Sequence, residues 1–285
     1  MKNKWHSNAR VVAGSGAGEE EVSVVLAHGY GANQAVWDKL VPSLSRRRKL
    51  LLFDWDFTGT RAGKDDDDEE RYTFGRFADE LIAVMEARGV SSGSGGAVVV
   101  AHSMSAMAAC IAAGRRPDLF SHLLLLCASP RYINSEEEGY VGGFDEADIH
   151  GMLAAMESDF HGWVNSFVPK AAGHAAAAEP LEKSFLAMDP GVALDLAKMI
   201  FLSDQREVLD GVTTPCTIVQ VKGDFAAPPS VAEYMHLRMK KNSAAMEIID
   251  SVGHFPQLVA PQQLLDILDG VLRLPEAAGG IDVTM

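Results

Sequence analysis

The sequence predicts an α/β fold: a mostly parallel, doubly wound sheet with a block of helices inserted into its second half. Three observations predict this fold class. Short apolar runs of strand length alternate with helix-like segments along most of the chain, a pattern typical of parallel sheets covered by helices on both faces. One run, residues 97–100, leads through a turn with a central serine into an Ala-rich helix-like segment. Residues 131–210 contain helix-like segments only.

The predicted strands are apolar runs bounded by glycine, proline or charged residues. They are Val22–Ala27, Lys49–Asp54, Ala97–Val100, Leu123–Leu126, Cys216–Val221 and Met246–Ile249. A helix is predicted over Tyr72–Arg88, and another follows the serine turn. Four more are predicted in the inserted block, separated by Pro169, Gly173 and Pro190: Glu146–Met156, Phe160–Val168, Ala175–Met188 and Val192–Val208.

These elements imply four segments. We expect a flexible N-terminal segment at residues 1–21, a core formed by residues 22–130 and 211–274, a helical lid at residues 131–210 and a flexible tail at residues 275–285. Six adjacent acidic residues at 65–70 indicate a solvated loop rather than a site for a hard cation, because so many neighbouring carboxylates do not easily converge on one ion.

Composition excludes several classes of function. The chain has 285 residues, 39 acidic against 25 basic, and a net charge of −14, which argues against binding to nucleic acid or to an anionic membrane. No apolar run reaches the length of a membrane helix, and the N-terminus lacks the apolar part of a signal peptide. The three cysteines lie in apolar patterns, which favours a reducing compartment over a disulfide framework.

The serine turn carries the main functional signal. In Ala101-His102-Ser103-Met104-Ser105, small residues stand two positions either side of Ser103, as a tight strand-to-helix turn requires. Such a turn presents the hydroxyl as a nucleophile at a helix N-terminus. The alternative is that Ser103 merely caps the helix.

Upstream, His28-Gly29-Tyr30-Gly31 follows the first predicted strand. This loop is where the fold would place the second backbone amide of an oxyanion hole, here that of Tyr30, to act with the amide of Met104. His28 and His102 are interpreted as structural supports.

A carboxylate and a histidine follow the last two strands. Asp224 comes after Lys222-Gly223, and His254 follows Gly253, so they are the candidate acid and base. Asp250 and Asp204 compete with Asp224, but Asp250 is too near His254 in the chain and Asp204 lies in a helix-like segment. His254 alone could be an ordinary loop histidine. The order Ser103, Asp224, His254 is that of the α/β-hydrolase fold.

The inserted block would form a lid over the nucleophile. It is rich in aromatic and Met side chains, and Trp163 and Phe167 lie four residues apart on one helix face, either in the lid core or in a pocket wall. An apolar pocket would suit a small lipophilic ester or lactone.

The chain resembles the plant strigolactone and karrikin receptors, which are α/β-hydrolases with a four-helix lid. The resemblance lies in residues 101–107, 115–120, 128–132, 142–144, 163–167 and 253–258. It implies Ser103, Asp224 and His254 as a catalytic triad, with the Tyr30 and Met104 amides as the oxyanion hole. It also implies a butenolide pocket lined by Tyr30, Tyr132, Phe144, Trp163, Phe167, Phe201 and Phe255.

The resemblance further implies a receptor-hydrolase with slow turnover, a butenolide ligand, and an F-box protein and repressor proteins as partners. We expect a cytoplasmic and nuclear monomer. Bulky Trp55 and Phe57, the extra acidic run, Leu181 in place of an aromatic residue and an altered loop after Asp224 indicate a divergent, DWARF-like member. A general carboxylesterase and a binding protein with a residual triad are the alternatives. No phosphate fingerprint or Cys/His metal spacing is present, so no cofactor and no metal are expected.

Overall fold

The computed structural model describes residues 8–14, 22–57, 72–90, 95–239 and 244–273. Their strands form a single seven-stranded sheet in the order β1-β3-β2-β4-β5-β6-β7. All neighbouring strands run parallel except β1, which is antiparallel to β3. The strands are β1 Arg10–Val12, β2 Val24–Ala27, β3 Leu50–Leu52, β4 Ala97–His102, β5 Phe120–Leu126, β6 Cys216–Gly223 and β7 Ala245–Val252.

The central strands are apolar along their whole length because helices cover both faces of the sheet. Every residue of β2, β3 and β4 is buried, so these strands lack the alternation of a strand with one wet face. This confirms the predicted α/β class and the six predicted strands, which differ from those observed only at their ends.

The N-terminal prediction needs a correction. Residues 10–12 form β1 and extend the sheet, whereas residues 1–21 were expected to be a flexible segment outside the core. Three residues are too few to show a strand period, and a neighbouring strand supplies their hydrogen bonds. The acidic run at 65–70 and the tail at 275–285 lie outside the described residues.

Helices of the core pack on the two faces of the sheet. They are α1 Val41–Leu44, α2 Phe74–Ala87, α3 Met104–Arg115, α8 Pro229–Met239, α9 Pro256–Val259 and α10 Pro261–Leu272. Helix α2 begins where the Thr73 side chain accepts a hydrogen bond from the Arg76 amide, which satisfies one of its unpaired N–H groups. Helix α3 starts at the serine turn.

The inserted block between β5 and β6 forms four helices. They are α4 Glu146–Ser158, α5 Phe160–Ala172, α6 Ala175–Leu186 and α7 Pro190–Leu202. The four predicted helices are therefore confirmed, but the last one ends earlier than expected. After Leu202 the chain leaves the helix, and the Asp204 carboxylate accepts from the Arg206 amide. Asp204 is thus a loop residue, and the expectation that it lies in a helix is wrong.

The carboxyl ends of the parallel strands meet at one edge of the sheet, under the lid. The loops after β2, β4, β5, β6 and β7 all start there. Side chains distant in sequence can therefore meet at this edge, which is where open α/β sheets place their sites. Among the described residues, no helix is long and apolar enough to span a bilayer.

Candidate active site

Ser103 occupies a strained turn between β4 and α3. Its φ of 55° and ψ of −118° place it in a backbone region that residues other than glycine rarely adopt. The neighbours Ala101 and Ser105 are fully buried, so larger side chains would not fit at these positions. The strained geometry points the hydroxyl out of the strand end and leaves it in line with the free amides of α3.

Ser103, His254 and Asp224, the three side chains predicted from the sequence, form one continuous line of hydrogen bonds, which we call the row. His254 Nε2 lies 2.8 Å from Ser103 Oγ, and His254 Nδ1 lies 2.7 Å from Asp224 Oδ2. With Nδ1–H donating to the carboxylate, Nε2 is left to accept from the serine hydroxyl. All three residues are buried, so water competes little for these bonds.

The carboxylate of Asp224 is held by its own loop. Its Oδ1 accepts from the amides of Ala226 and Ala227 at 2.9 and 3.2 Å, and its Oδ2 accepts from Gln220 Nε2 at 3.2 Å. The thiol of Cys127, at the end of β5, also interacts with this carboxylate. Burial and then the neighbouring Asp224 charge raise the pKa of Cys127, so the thiol keeps its proton and can donate it.

The loop after β2 lies directly against the serine turn. A Cβ on Gly29 would come within 3.0 Å of Ser103 Cβ and 2.9 Å of His102 Nδ1, so only glycine allows this approach. The amides of Tyr30 and Met104 donate to no other protein group within the described ranges. Both amides predicted as oxyanion donors are therefore free at the edge of the sheet beside Ser103.

A group of aromatic rings links this loop to the lid. The Tyr30 hydroxyl donates to Ala193 O in α7 at 2.8 Å, and its ring meets Phe185 of α6 edge-on at 5.3 Å between centroids. Phe185 in turn contacts both Trp163 and Phe167, which stack on each other at 4.6 Å. The lid therefore places aromatic carbon, not charge, next to the loop.

The other predicted pocket residues, Tyr132, Phe201, Phe255 and Phe144, do not belong to this group of aromatic rings. Tyr132 packs on Phe201 at 4.8 Å, and its hydroxyl interacts with Ser103. Burial raises the pKa of Tyr132, so it stays protonated. Phe255 lies 4.7 Å from the ring of His102 and packs beside the row. Phe144 pairs through its backbone with Ile133 and makes no ring stack with the others in the described ranges.

Two aromatic contacts were not assigned to the site from the sequence. Phe185 lies so close to the loop that a Cβ on Gly31 would meet its ring at 1.9 Å, and Phe225 packs edge-on against Phe167 at 5.4 Å. The positive φ of Gly31 marks a tight turn. Nothing in the sequence around Gly31 indicates which lid residue packs against it.

His102 supports the row from below. Burial, and then the proximity of His254, hold the pKa of His102 well below its usual range, so it is neutral. Its Nε2 lies 2.7 Å from the carbonyl of His254 and must donate the proton. His102, Cys127 and His254 bring potential ligand atoms within 4.8 Å of one another, but both ring nitrogens of His254 are already engaged in the row.

Residues 24–267 match the alpha/beta hydrolase family. The chain belongs to this family. It is 38% identical over 255 residues to the karrikin insensitive 2 receptor CA of Petunia hybrida, covering 88% of this chain and 92% of that protein. It is 35% identical over 264 residues to the strigolactone esterase D14 of Arabidopsis thaliana, covering 92% and 94%.

The fold of this hydrolase agrees with solved structures. A hydrolase from Oleispira antarctica superposes with a TM-score of 0.79 at 27% identity, covering 94% of this chain and 95% of that one. The predicted fold and the predicted resemblance to plant strigolactone and karrikin receptors are both confirmed.

Proposed function

We propose that this protein is a receptor-hydrolase that binds a small apolar butenolide and cleaves it slowly with Ser103. The observation that carries the proposal is the Ser103–His254–Asp224 row under an aromatic lid. It occurs in a chain whose relatives are named karrikin receptors and strigolactone esterases. The relatives supply the ligand class, and the row supplies the chemistry.

The chemistry follows from the positions of the atoms. His254 Nε2 takes the proton of Ser103 as Oγ attacks the lactone carbonyl, while Asp224 orients the imidazole and stabilises its cation. The amides of Tyr30 and Met104 would hold the negative oxygen that forms. Protonated His254 then returns its proton to the ring oxygen as the bond between that oxygen and the carbonyl carbon breaks, which leaves the opened ligand as an ester on Ser103. Water, giving its proton to His254, then attacks the ester carbonyl, and Ser103 Oγ leaves with the proton that His254 returns.

The aromatic side chains of the lid indicate that the ligand is small and uncharged. Phe185, Trp163 and Phe167 form continuous aromatic packing above the loop of Tyr30. Such a surface favours apolar ligands with few polar groups, and a lactone carbonyl would reach the two free amides. A general carboxylesterase without a signalling role is the second candidate, since it needs the same row of side chains.

The receptor role includes protein partners. We infer that the liganded form binds an F-box protein and repressor proteins, and that the chain acts as a monomer in the cytoplasm and nucleus. The resemblance to the receptor family supports these points. The buried, unpaired cysteines agree with a reducing compartment.

The decisive experiment exposes wild type and Ser103→Ala to the separate stereoisomers of a synthetic butenolide. Wild type is expected to release the hydrolysed product and to carry a covalent mass increase. Ser103→Ala is expected to lose at least about 1000-fold in rate, because the nucleophile is absent. It should still show a ligand-induced rise in melting temperature, because the pocket is intact.

Exposed Ser43 on α1 offers a matched control, and Ser43→Ala should behave as wild type. Rapid turnover of simple acyl esters, with no butenolide-induced change in melting temperature, would support the carboxylesterase instead. Retained butenolide cleavage by Ser103→Ala would overturn the assignment of the nucleophile.

A further inference from the structure

The backbone of His254 is held from two sides, and one side belongs to the lid. Its carbonyl accepts from His102 Nε2 of the core, and its amide donates to Ala171 O at 2.7 Å. Ala171 lies in the last turn of α5, where carbonyls have no partner within the helix. The candidate base is thus fastened to the lid as well as to the sheet.

The end of α5 and the loop of His254 cross at a pair of glycines. A Cβ on Gly173, which ends α5, would lie 2.6 Å from Val252 O and 2.7 Å from Gly253 Cα. A Cβ on Gly253 would lie 2.6 Å from Ala172 O. Both glycines have positive φ, 67° and 90°. Only at this separation can the Ala171 carbonyl reach the His254 amide.

From this crossing we infer that Gly173 is a positioning residue for the reaction. By letting the end of α5 approach the loop of His254, it keeps the imidazole in line with Ser103 and Asp224. The lid is therefore part of the apparatus that aligns the base, in addition to covering the ligand. The inference rests on the proposed hydrolase function but concerns a residue that touches neither ligand nor reacting atoms.

The size of the effect follows from the crowding. Any side chain at position 173 would have to push the loop of His254 away, because both partners in the contact are backbone. A displacement of the order of 1 Å in a reacting group typically costs about 100-fold in rate. The row itself is 2.7 to 2.8 Å at each step, so it has no slack to absorb such a shift.

The test compares two variants of Gly173 with a matched glycine. Gly173→Ala adds both the Cβ and the backbone strain of a positive φ. Gly173→Asn adds the Cβ, but asparagine tolerates this backbone conformation better. Gly139→Ala adds the strain alone, since Gly139 has φ 63° and nothing within 4 Å of the new Cβ.

Hydrolysis of p-nitrophenyl acetate, a substrate too small to need the lid pocket, gives kcat, KM and the pH profile of kcat. Both Gly173 variants are expected to lose about 10- to 100-fold in kcat, with KM within about threefold and the acidic limb of the pH profile, where the base must lose its proton, displaced. Gly139→Ala should lose melting temperature only. Equal kcat in wild type and Gly173→Asn would overturn the inference, whatever happens to stability.

Amide hydrogen exchange at His254 separates this inference from the proposed function. The bond to Ala171 O predicts slow exchange in the wild type and at least tenfold faster exchange in Gly173→Asn, with the amides of β4 unchanged. This measurement needs no enzymatic activity. A wild type that hydrolyses no ester would therefore overturn the proposed function but not the positioning role of Gly173. Unchanged exchange at the His254 amide in Gly173→Asn would overturn the positioning role of Gly173 but not the proposed function.

Discussion

Trp55 braces the loop that carries the Tyr30 amide. Its indole Nε1 donates to His28 O at 2.8 Å and approaches Ser105 Oγ at 3.0 Å, and Ser105 also donates to the same carbonyl. His28 O lies two residues before Tyr30. Trp55 and Ser105 therefore both donate to one carbonyl and fix the oxyanion loop.

Trp55→Phe should lower kcat by about 5- to 20-fold on a small ester, with little change in KM. The ring would still fill its place against Phe53 and Phe77, but the loop would lose a donor that fixes its position, and oxyanion donors act only when positioned in advance. Affinity for a boronic acid that mimics the tetrahedral intermediate should fall by the same factor as kcat/KM.

Tyr140→Phe gives the comparison, because it also removes a buried donor, to Arg131 O at 2.6 Å, but one remote from the oxyanion loop. An equal fall in boronate affinity in both variants would mean that Trp55 acts only through general stability.

The sequence was enough to predict which side chains meet at the candidate site, because their positions depend on the ends of strands. Ser103, Asp224 and His254 each follow a strand that is apolar enough to recognise, and parallel strands bring their carboxyl ends together. The contacts of Phe185 with Gly31 and of Ala171 with His254 depend on how the lid packs. No local pattern reports that packing, so these residues could be found only in the structure.

A cluster of charges closes the base of the lid, joining the start of the inserted block to its end. Arg131 and Arg206 both bind Asp204, at 2.8 and 2.6 Å, and Arg206 also binds Glu138 at 2.6 Å. The Gln205 amide donates to Pro130 O at 2.8 Å. The segment after α7 is thereby tied to the segment after β5.

Asp204→Asn should loosen this closure and cost on the order of 1 kcal/mol of unfolding free energy, since the cluster is partly exposed and screened. Burial acts to raise the pKa of Asp204, but the hydrogen bonds from Arg206 and Arg131 outweigh it and lower the pKa to about 2. The contribution is thus present above the ordinary value of 3.8 and is lost as pH falls toward 2.

Chemical denaturation of both proteins at neutral pH and near pH 2.5 tests this, with the exposed Asp250→Asn as the comparison. A stability difference between wild type and Asp204→Asn that stays the same at both pH values would contradict the role of the Asp204 charge.

The same charge cluster explains why the predicted C-terminal end of α7 was wrong. The apolar pattern of α7 continues past Leu202 to Val208, so sequence periodicity extends the helix. The Asp204 side chain instead caps the following turn and pairs with Arg131, far away in the chain. Similarly, β1 exists because β3 supplies its partner groups. Both errors arise where a distant segment determines the local conformation.

At the scale of the whole molecule, two buried groups shift the pH of maximum stability in opposite directions. Burial lowers the pKa of His102 below its ordinary 6.5, so unfolding takes up a proton and stability is lost as pH falls below about 6.5. Burial raises the pKa of Glu80 from 4.5 to about 7, assisted by the Asp56 charge and opposed by the Asp56 amide and Arg76. Stability therefore falls as pH rises from 4.5 toward 7.

Glu80→Gln should separate the two effects. Glu80 is 3% exposed, and its Oε1 accepts from the Asp56 amide at 2.8 Å, a bond that the glutamine oxygen can keep. The difference in unfolding free energy between variant and wild type cancels the contribution of His102. That difference should grow in favour of the variant by on the order of 2 kcal/mol between pH 4.5 and 8.

Urea denaturation across this pH range measures the difference, and Glu86→Gln, which removes an exposed carboxylate from the same helix, controls for the change in net charge. A constant difference for Glu80→Gln across the range would show that folding leaves the pKa of Glu80 at its ordinary value. It would then contradict the raised pKa of Glu80, and any loss of stability toward pH 8 would need another source.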